Sequence, residues 1–265
     1  PASAGFLFLQ VNGVQQILVK STVSQYARRI ILGLALVPTL IGAHPYSLSE
    51  RDNDAKATLE AIAVPANASV LIVEPLDDRF IKSLSKHLNN KGKILLDVPA
   101  SHAATYFSAK PPATANGPKI TVDTAQSLLH PHAAVDLIIV DRALHRWLAH
   151  GQSESQLARL KKRLKANGHI LMIDYRQDPQ RPEDPKAALG YVTERLAIAK
   201  ASEAGLELQD AFETNSNPHD IKDYDQGAFT LPPTLRLGSK ERDRYLLIGE
   251  ADRFTLYFKV ANPHH

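Results

Sequence analysis

Apolar residues in this chain fall into short unbroken runs, separated by stretches whose apolar positions recur at helical spacing. From Ser49 to Ala63, Ala55, Leu59 and Ile62 share one face, which predicts a helix that Pro65 ends. Ser69 to Val73 is a continuous β-rich run with no polar alternation, the pattern of a strand buried on both faces. Asp77-Asp78 opens a second helix to about Leu88. The alternation continues through strands at Lys93 to Leu96 and Lys119 to Val122, with a Pro-rich loop from Lys110 to Pro118 between them, and through a strand at Val135 to Val140. A helix from Ser153 to Leu164, the pair Asn167-Gly168 and a strand at His169 to Ile173 follow. After a proline-rich loop from Gln177 to Pro185 come a helix from Ala187 to Ala204, stopped by Gly205, and strands at Leu206 to Phe212 and Arg253 to Val260. Strands that alternate with helices in this way are parallel and joined by right-handed crossovers, so the pattern predicts a doubly wound α/β sheet. A charged, Pro-containing excursion from Asn215 to Glu250 interrupts it; excursions of that length inside a domain are usually functional or partly helical.

Composition narrows the chemistry. With 265 residues, 44% of them hydrophobic and 22% charged, the chain can build one large core. A net charge of +3 without a concentrated basic patch does not point to nucleic acid. The absence of cysteine excludes disulfides, a thiolate nucleophile and any Cys-based metal site. His130 and His132 are close and His264-His265 end the chain, yet no set has zinc-ligand spacing, so no metal is expected. There is no Gly-x-Ser-x-Gly and no phosphate-binding Gly-Lys-Ser either.

The segment 1–43 stands outside this pattern. Arg28-Arg29 precedes an apolar run from Ile30 to Ala43 that is too short to span a bilayer. Its order of basic pair, apolar stretch and small residues reads as a signal peptide or anchor at 28–43, with a cut before His44, and equally as a structural N-terminal helix. The first reading places the protein outside the cytoplasm and the second leaves it inside. The remaining residues, 44–265, form the expected domain.

One stretch is more specific. Asp136 to Asp141, then Arg142-Ala143-Leu144-His145 and Trp147, then Leu160 to Leu164, Ala166-Asn167-Gly168 and a strand closing on Asp174, resemble the fourth and fifth strands of class I S-adenosylmethionine-dependent methyltransferases. Asn217-Pro218, Leu231 to Leu237 and Glu250 to Phe254 are similar to a bacterial group of predicted methyltransferases whose members often begin with an export signal, a likeness that runs over residues 47–260. The resemblance implies a seven-stranded, mostly parallel sheet with its last strand antiparallel, and S-adenosylmethionine as cofactor. It implies methyl transfer to an unknown small-molecule or protein acceptor; the alternative is a non-catalytic domain that binds another small ligand or a protein partner.

On this resemblance Glu74, Asp97 and Asp123, at the ends of the first three strands, are the cofactor-binding candidates, for the amino group, the ribose hydroxyls and the adenine amine. Their bland readings are a strand-end carboxylate, a turn before Pro99 and a helix cap leading into Ala125 to Leu129. Asp141 and His145, beyond the fourth strand, are the catalytic candidates, since an imidazole titrates near neutrality and can act as a base; a loop-ordering histidine is the plainer reading. Trp147 reads as packing, and Asp174, Tyr175, Asp223, Tyr224, Asp225 and Arg253 as weaker candidates for the acceptor side. The sequence departs from the family after the first strand. Glu74-Pro-Leu-Asp-Asp-Arg-Phe80 stands where a Gly-x-Gly-x-Gly loop lets the backbone approach the cofactor, and no glycine occurs between Glu74 and Gly92.

Overall fold

The structure, a computed structural model, describes residues 48–98, 117–124 and 134–261, with side chains from Asp54 onward and none at 122–124. These residues belong to the compact unit Ala43–His265. The segment 28–43, the cut before His44, the loop up to residue 116, the helix at Ala125 to Leu129, His130, His132 and the terminal histidines lie outside the described residues.

In chain order the elements are α1 (Leu48–Ala61), β1 (Ser69–Val73), α2 (Arg79–His87), β2 (Lys93–Val98), β3 (Lys119–Thr124), β4 (Val135–Asp141), α3 (Leu144–Ala149), α4 (Ser153–Lys161), β5 (Leu164–Tyr175), α5 (Glu194–Glu203), β6 (Leu206–Phe212), a 3-10 turn (Gly227–Thr230), α6 (Arg242–Ile248) and β7 (Arg253–Val260). The seven strands form one sheet in the order β3-β2-β1-β4-β5-β7-β6. Strands β1 to β5 are mutually parallel, and β7 inserts antiparallel between β5 and β6.

Both faces of the sheet are covered, which is why its central strands are apolar throughout. Successive side chains alternate sides. Val70 and Ile72 of β1 join Leu137 and Ile139 of β4 in a core under α1 and α2, together with Ala55, Leu59, Phe80 and Leu84. Leu71, Val73, Ile138 and Val140 face the other way, against Leu144, Trp147, Leu157 and Leu160 of α3 and α4 and Ala197 and Ala201 of α5. The excursion has a small core of its own, in which Ala228, Leu231 and Tyr245 pack on Tyr175 and Tyr191.

Three elements differ from the sequence pattern. β2 continues through Val98, so Asp97 is a strand residue rather than one that follows the strand. β5 begins at Leu164: Leu164 pairs with Val135, and the register then jumps to His169 opposite Leu137, so residues 165–168 bulge out. Gly168 sits where a Cβ would be 3.0 Å from the Val135 carbonyl oxygen. The helix expected from Ala187 starts instead at Glu194, because Ala187 and Gly190 take φ values of +47° and +83°. Thr193 then caps it, its Oγ1 accepting the Leu196 N–H at 3.1 Å.

Candidate functional site

Parallel strands carry their carboxyl ends to one edge, where ligands bind in open α/β sheets. β1 and β4 both deliver a residue in left-handed backbone there, Glu74 at φ +44° and Arg142 at φ +54°. For residues with a Cβ this conformation costs on the order of 1–3 kcal/mol, and such strain concentrates at functional edges. The turn after β1 thus keeps a conformation that favours glycine, while glutamate occupies it.

The loops from these two strands are joined by ion pairs. Arg142 Nη2 lies 2.6 Å from Asp77 Oδ2 and 2.9 Å from Asp141 Oδ2. Arg79 Nη2 is 2.9 Å from Asp77 Oδ2 and 3.1 Å from Glu250 Oε1. Because β7 is antiparallel, its first residue reaches the same edge: Arg253 pairs with Tyr175 across the sheet, and its Nη2 lies 2.7 Å from Glu250 Oε2 and 3.4 Å from Asp54 Oδ2. Asp141, Arg142, Asp77, Arg79, Glu250, Arg253 and Asp54 therefore form a chain that alternates in sign at every step. Its three guanidiniums are 1 to 2% exposed. Burial alone would raise the Asp77 carboxyl, but the Arg79 hydrogen bonds and the charge of Arg142 outweigh it and hold the group well below the usual carboxylate range.

The sequence-derived candidates take these places. Glu74 accepts from Arg146 Nη2 at 2.7 Å and from Trp147 Nε1 at 3.3 Å, tying the end of β1 to α3. Asp97 is 3% exposed and accepts from Arg159 Nη2 of α4 at 2.9 Å. Its backbone oxygen takes the Glu74 N–H at 2.8 Å, so Glu74 and Asp97 are neighbours. Asp123 lies opposite Asp97 in the β2–β3 register, and its side chain is outside the described residues. Asp141 belongs to the ion chain. His145 is buried against Asp174, its Nδ1 2.8 Å from Asp174 Oδ1. Asp174 also accepts the His145 N–H at 3.0 Å on Oδ2 and the Tyr175 N–H at 2.8 Å on Oδ1. Trp147 is core. Asp223 and Asp225 sit on the exposed surface opposite Arg181 and Lys240, at 3.9 and 3.7 Å.

Sequence reasoning missed Arg79, Arg142 and Glu250, and did not link Asp77 or Arg253 to them. One signal was present: Arg79 opens α2, where the helix dipole disfavours a cation, so a guanidinium there needs a carboxylate partner. The described surface includes the following pair of cavities. One of 290 Å³ lies beside the end of the ion chain, lined by Asp54, Glu250, Arg253 and residues 215–217; the other, of 270 Å³, lies between α1 and α2 under Lys56, Lys82 and Lys86.

Strand order and layering decide the architecture. The fold is that of the class I methyltransferases. Solved structures similar to this chain include a SAM-dependent methyltransferase from Aquifex aeolicus, with a TM-score of 0.50 and 15% identity over 81% of this chain and 94% of that one. The CcbJ methyltransferase from Streptomyces caelestis aligns with a TM-score of 0.51 and 13% identity over 84% of this chain and 93% of its own. The [4+2]-cyclase SpnF aligns with a TM-score of 0.57 and 12% identity, covering 84% of this chain and 86% of that one. No family model and no curated protein sequence matches the chain. A methyltransferase fold that also houses a cyclase fixes the scaffold and leaves the reaction to the site.

Proposed function

We propose that this domain keeps the methyltransferase fold but works without S-adenosylmethionine, binding another small ligand or a protein partner at the carboxyl edge of its sheet. The observation that carries the reading is the 2.6 Å contact between Asp77 and Arg142, which closes the loop after β1 onto the loop after β4. In this fold the methionyl part of the cofactor approaches the backbone after β1, which glycine permits. Here that loop carries Glu74, Pro75 and Asp77, and Pro75 has no N–H to offer. A sulfonium beside the Arg142 guanidinium meets like charge in a site of low dielectric, which is unfavourable. Asp97, the acid placed for a ribose, already holds Arg159 and presents almost no surface.

A second reading, methyl transfer to an unknown acceptor, is favoured by the placement of Glu74, Asp97 and Asp123 at the ends of β1, β2 and β3, with Asp141 and His145 toward the acceptor side. One experiment separates the two. Calorimetric titration of the full chain with S-adenosylmethionine and S-adenosylhomocysteine is expected to give no heat of binding at millimolar ligand. Micromolar binding that Asp97→Ala weakens would overturn the first reading and establish the second.

A further inference from the structure

The 290 Å³ cavity beside Asp54 is bordered by α1, the segment after β6 and the start of β7, and a hydrogen-bond network behind it fixes what its wall offers. Asn215 is 4% exposed, and its Nδ2 lies 2.8 Å from Thr255 Oγ1, 3.1 Å from Thr58 Oγ1 and 3.3 Å from Thr214 Oγ1. Thr58 has one hydroxyl hydrogen and gives it to the Asp54 carbonyl oxygen at 2.8 Å, one turn back in α1. Toward Asn215 its oxygen can therefore only accept, which orients the amide with Nδ2 on the threonines and Oδ1 on the opposite side. Oδ1 makes no hydrogen bond among the described residues and is not one of the enclosed atoms left without a partner; the open space that Asn215 borders is this cavity. A nearly buried side chain thus presents an unused acceptor to it.

The donors in the same wall are spent or enclosed. Asn217 Nδ2 gives its hydrogens to the Glu250 and Ile248 carbonyl oxygens at 2.6 and 2.9 Å. Arg253 Nε and Nη1 have no partner but also no accessible surface, so an anion in the cavity does not reach them. The charged side chains that line it are Asp54, Glu250 and Arg253, two negative and one positive, and the Asp54 carboxylate is 38% exposed while it pairs with Arg253. Ile248 adds an apolar surface beside these groups. Acceptors, surplus negative charge and a short apolar wall are complementary to a cation that carries hydrogens on an alkyl stem. Among the described residues no group of three acidic or histidine side chains is placed to hold a metal ion instead.

We propose that this cavity binds the primary ammonium of a small aliphatic amine, which donates to Asn215 Oδ1 and pairs with the Asp54 carboxylate while its alkyl stem lies on Ile248. An ammonium brings three donors, one compact charge and no acceptor, and hydrogen bonds between charged partners are the stronger kind. The amine site rests on the reading that a small ligand binds at the carboxyl edge of the sheet, and gives that ligand a chemical class.

The test uses the nitrogen-15-labelled full chain and n-butylammonium chloride, added to millimolar concentration at pH 7 and constant ionic strength, where an alkyl amine is charged as lysine is. Saturable shifts are expected in the backbone amides of residues 215–217 and 249–253 and in the side-chain amide of Asn215. Butan-1-ol, which lacks the charge, and butyltrimethylammonium, which lacks the N–H groups, are expected to leave these signals in place at the same concentrations. No saturable shift with butylammonium, or an equal one with either control, overturns the assignment of the ligand. Asp54→Asn keeps the shape and removes the charge, and is expected to weaken butylammonium binding at least about tenfold, the scale of one charge-assisted hydrogen bond. Glu60→Gln, at an exposed acid further along α1, is expected to leave it unchanged. Undiminished binding in a folded Asp54 variant overturns the role of that carboxylate, and the comparison of the three probes on the unaltered chain decides the ligand even where the variant does not fold. Failure here is distinct from failure of the reading it rests on: micromolar S-adenosylmethionine binding that Asp97→Ala weakens overturns that reading, whereas absent shifts at 215–217 overturn only the amine site.

Discussion

At the scale of single residues, the carboxyl edge is governed by arginines whose partners no local pattern reveals. Arg142 follows an apolar strand and reads as an ordinary loop cation, yet it is 1% exposed and touches Asp77, 65 positions away. Arg79 reaches Glu250 across 171 positions. Such pairs exist only once β1, β4 and β7 stand side by side, so the candidate acids were legible in the sequence while their partners were not. Asp97 stands out in the sequence by its place near the end of a strand, and its carboxylate accepts from Arg159. Removing one partner from a buried ion pair leaves an uncompensated charge and typically costs about 3–5 kcal/mol, far more than an exposed pair. Arg142→Ala is therefore expected to lower stability by about that much, because buried Asp141 then loses its cation and Asp77 keeps only Arg79. Arg181→Ala, at an exposed pair 3.9 Å long, is expected to change stability by less than about 1 kcal/mol. Urea unfolding of the two variants measures both values, and a small effect at Arg142 would mean that the chain of ion pairs is not formed in solution.

At the scale of elements, legibility followed burial. β1 and β7 have the boundaries their apolar runs predict, because a strand in the middle of a sheet must be apolar or alternate cleanly along its length. The excursion was legible only as a long insertion. It is held by polar groups distant in sequence: Asp220 accepts from the Tyr191 hydroxyl at 3.1 Å and from the Asp252 N–H at 2.8 Å, and burial followed by the Asp220 charge pushes the Tyr191 hydroxyl far up. Gly227 is the tightest point of this docking. It has φ +55°, and a Cβ there would lie 2.1 Å from the backbone oxygen of Leu189. Gly227→Ala is thus expected to displace the 3-10 turn that carries Phe229, at a cost of about 1–3 kcal/mol, the scale of forced backbone strain. Gly151→Ala is the control, since that glycine also has positive φ but nothing lies within 4 Å of its Cβ position. Limited proteolysis is expected to cut between residues 215 and 250 much faster in the Gly227 variant than in either the control or the parent chain.

At the scale of the whole domain, the alternating ion chain links α1, the β1–α2 loop, the end of β4 and the start of β7, four segments that meet only in the folded state. That arrangement makes stability depend on pH in a direction the Asp77 carboxyl fixes. Its folded value is depressed, so its contribution is fully present above the unfolded Asp value of about 4 and is lost as pH falls below it, at up to about 1.4 kcal/mol per pH unit for the one proton involved. Glu194 acts in the opposite sense: burial raises its carboxyl, the nearby Arg176 offsetting only part of that, so acid relieves a cost there; Asp136, held down by Lys165 and the Ser69 N–H against its burial, acts in the same sense as Asp77, and the measured slope is a net of all three. The contribution of Asp77 is isolated by comparison with Asp77→Asn, which cannot take up the proton. Urea unfolding between about pH 7 and pH 2.5 is expected to show the parent chain losing stability more steeply than the variant below about pH 4, by close to one proton's worth. Equal slopes would mean that Asp77 is free of Arg79 and Arg142 in solution, and the loop after β1 would then be open to a cofactor.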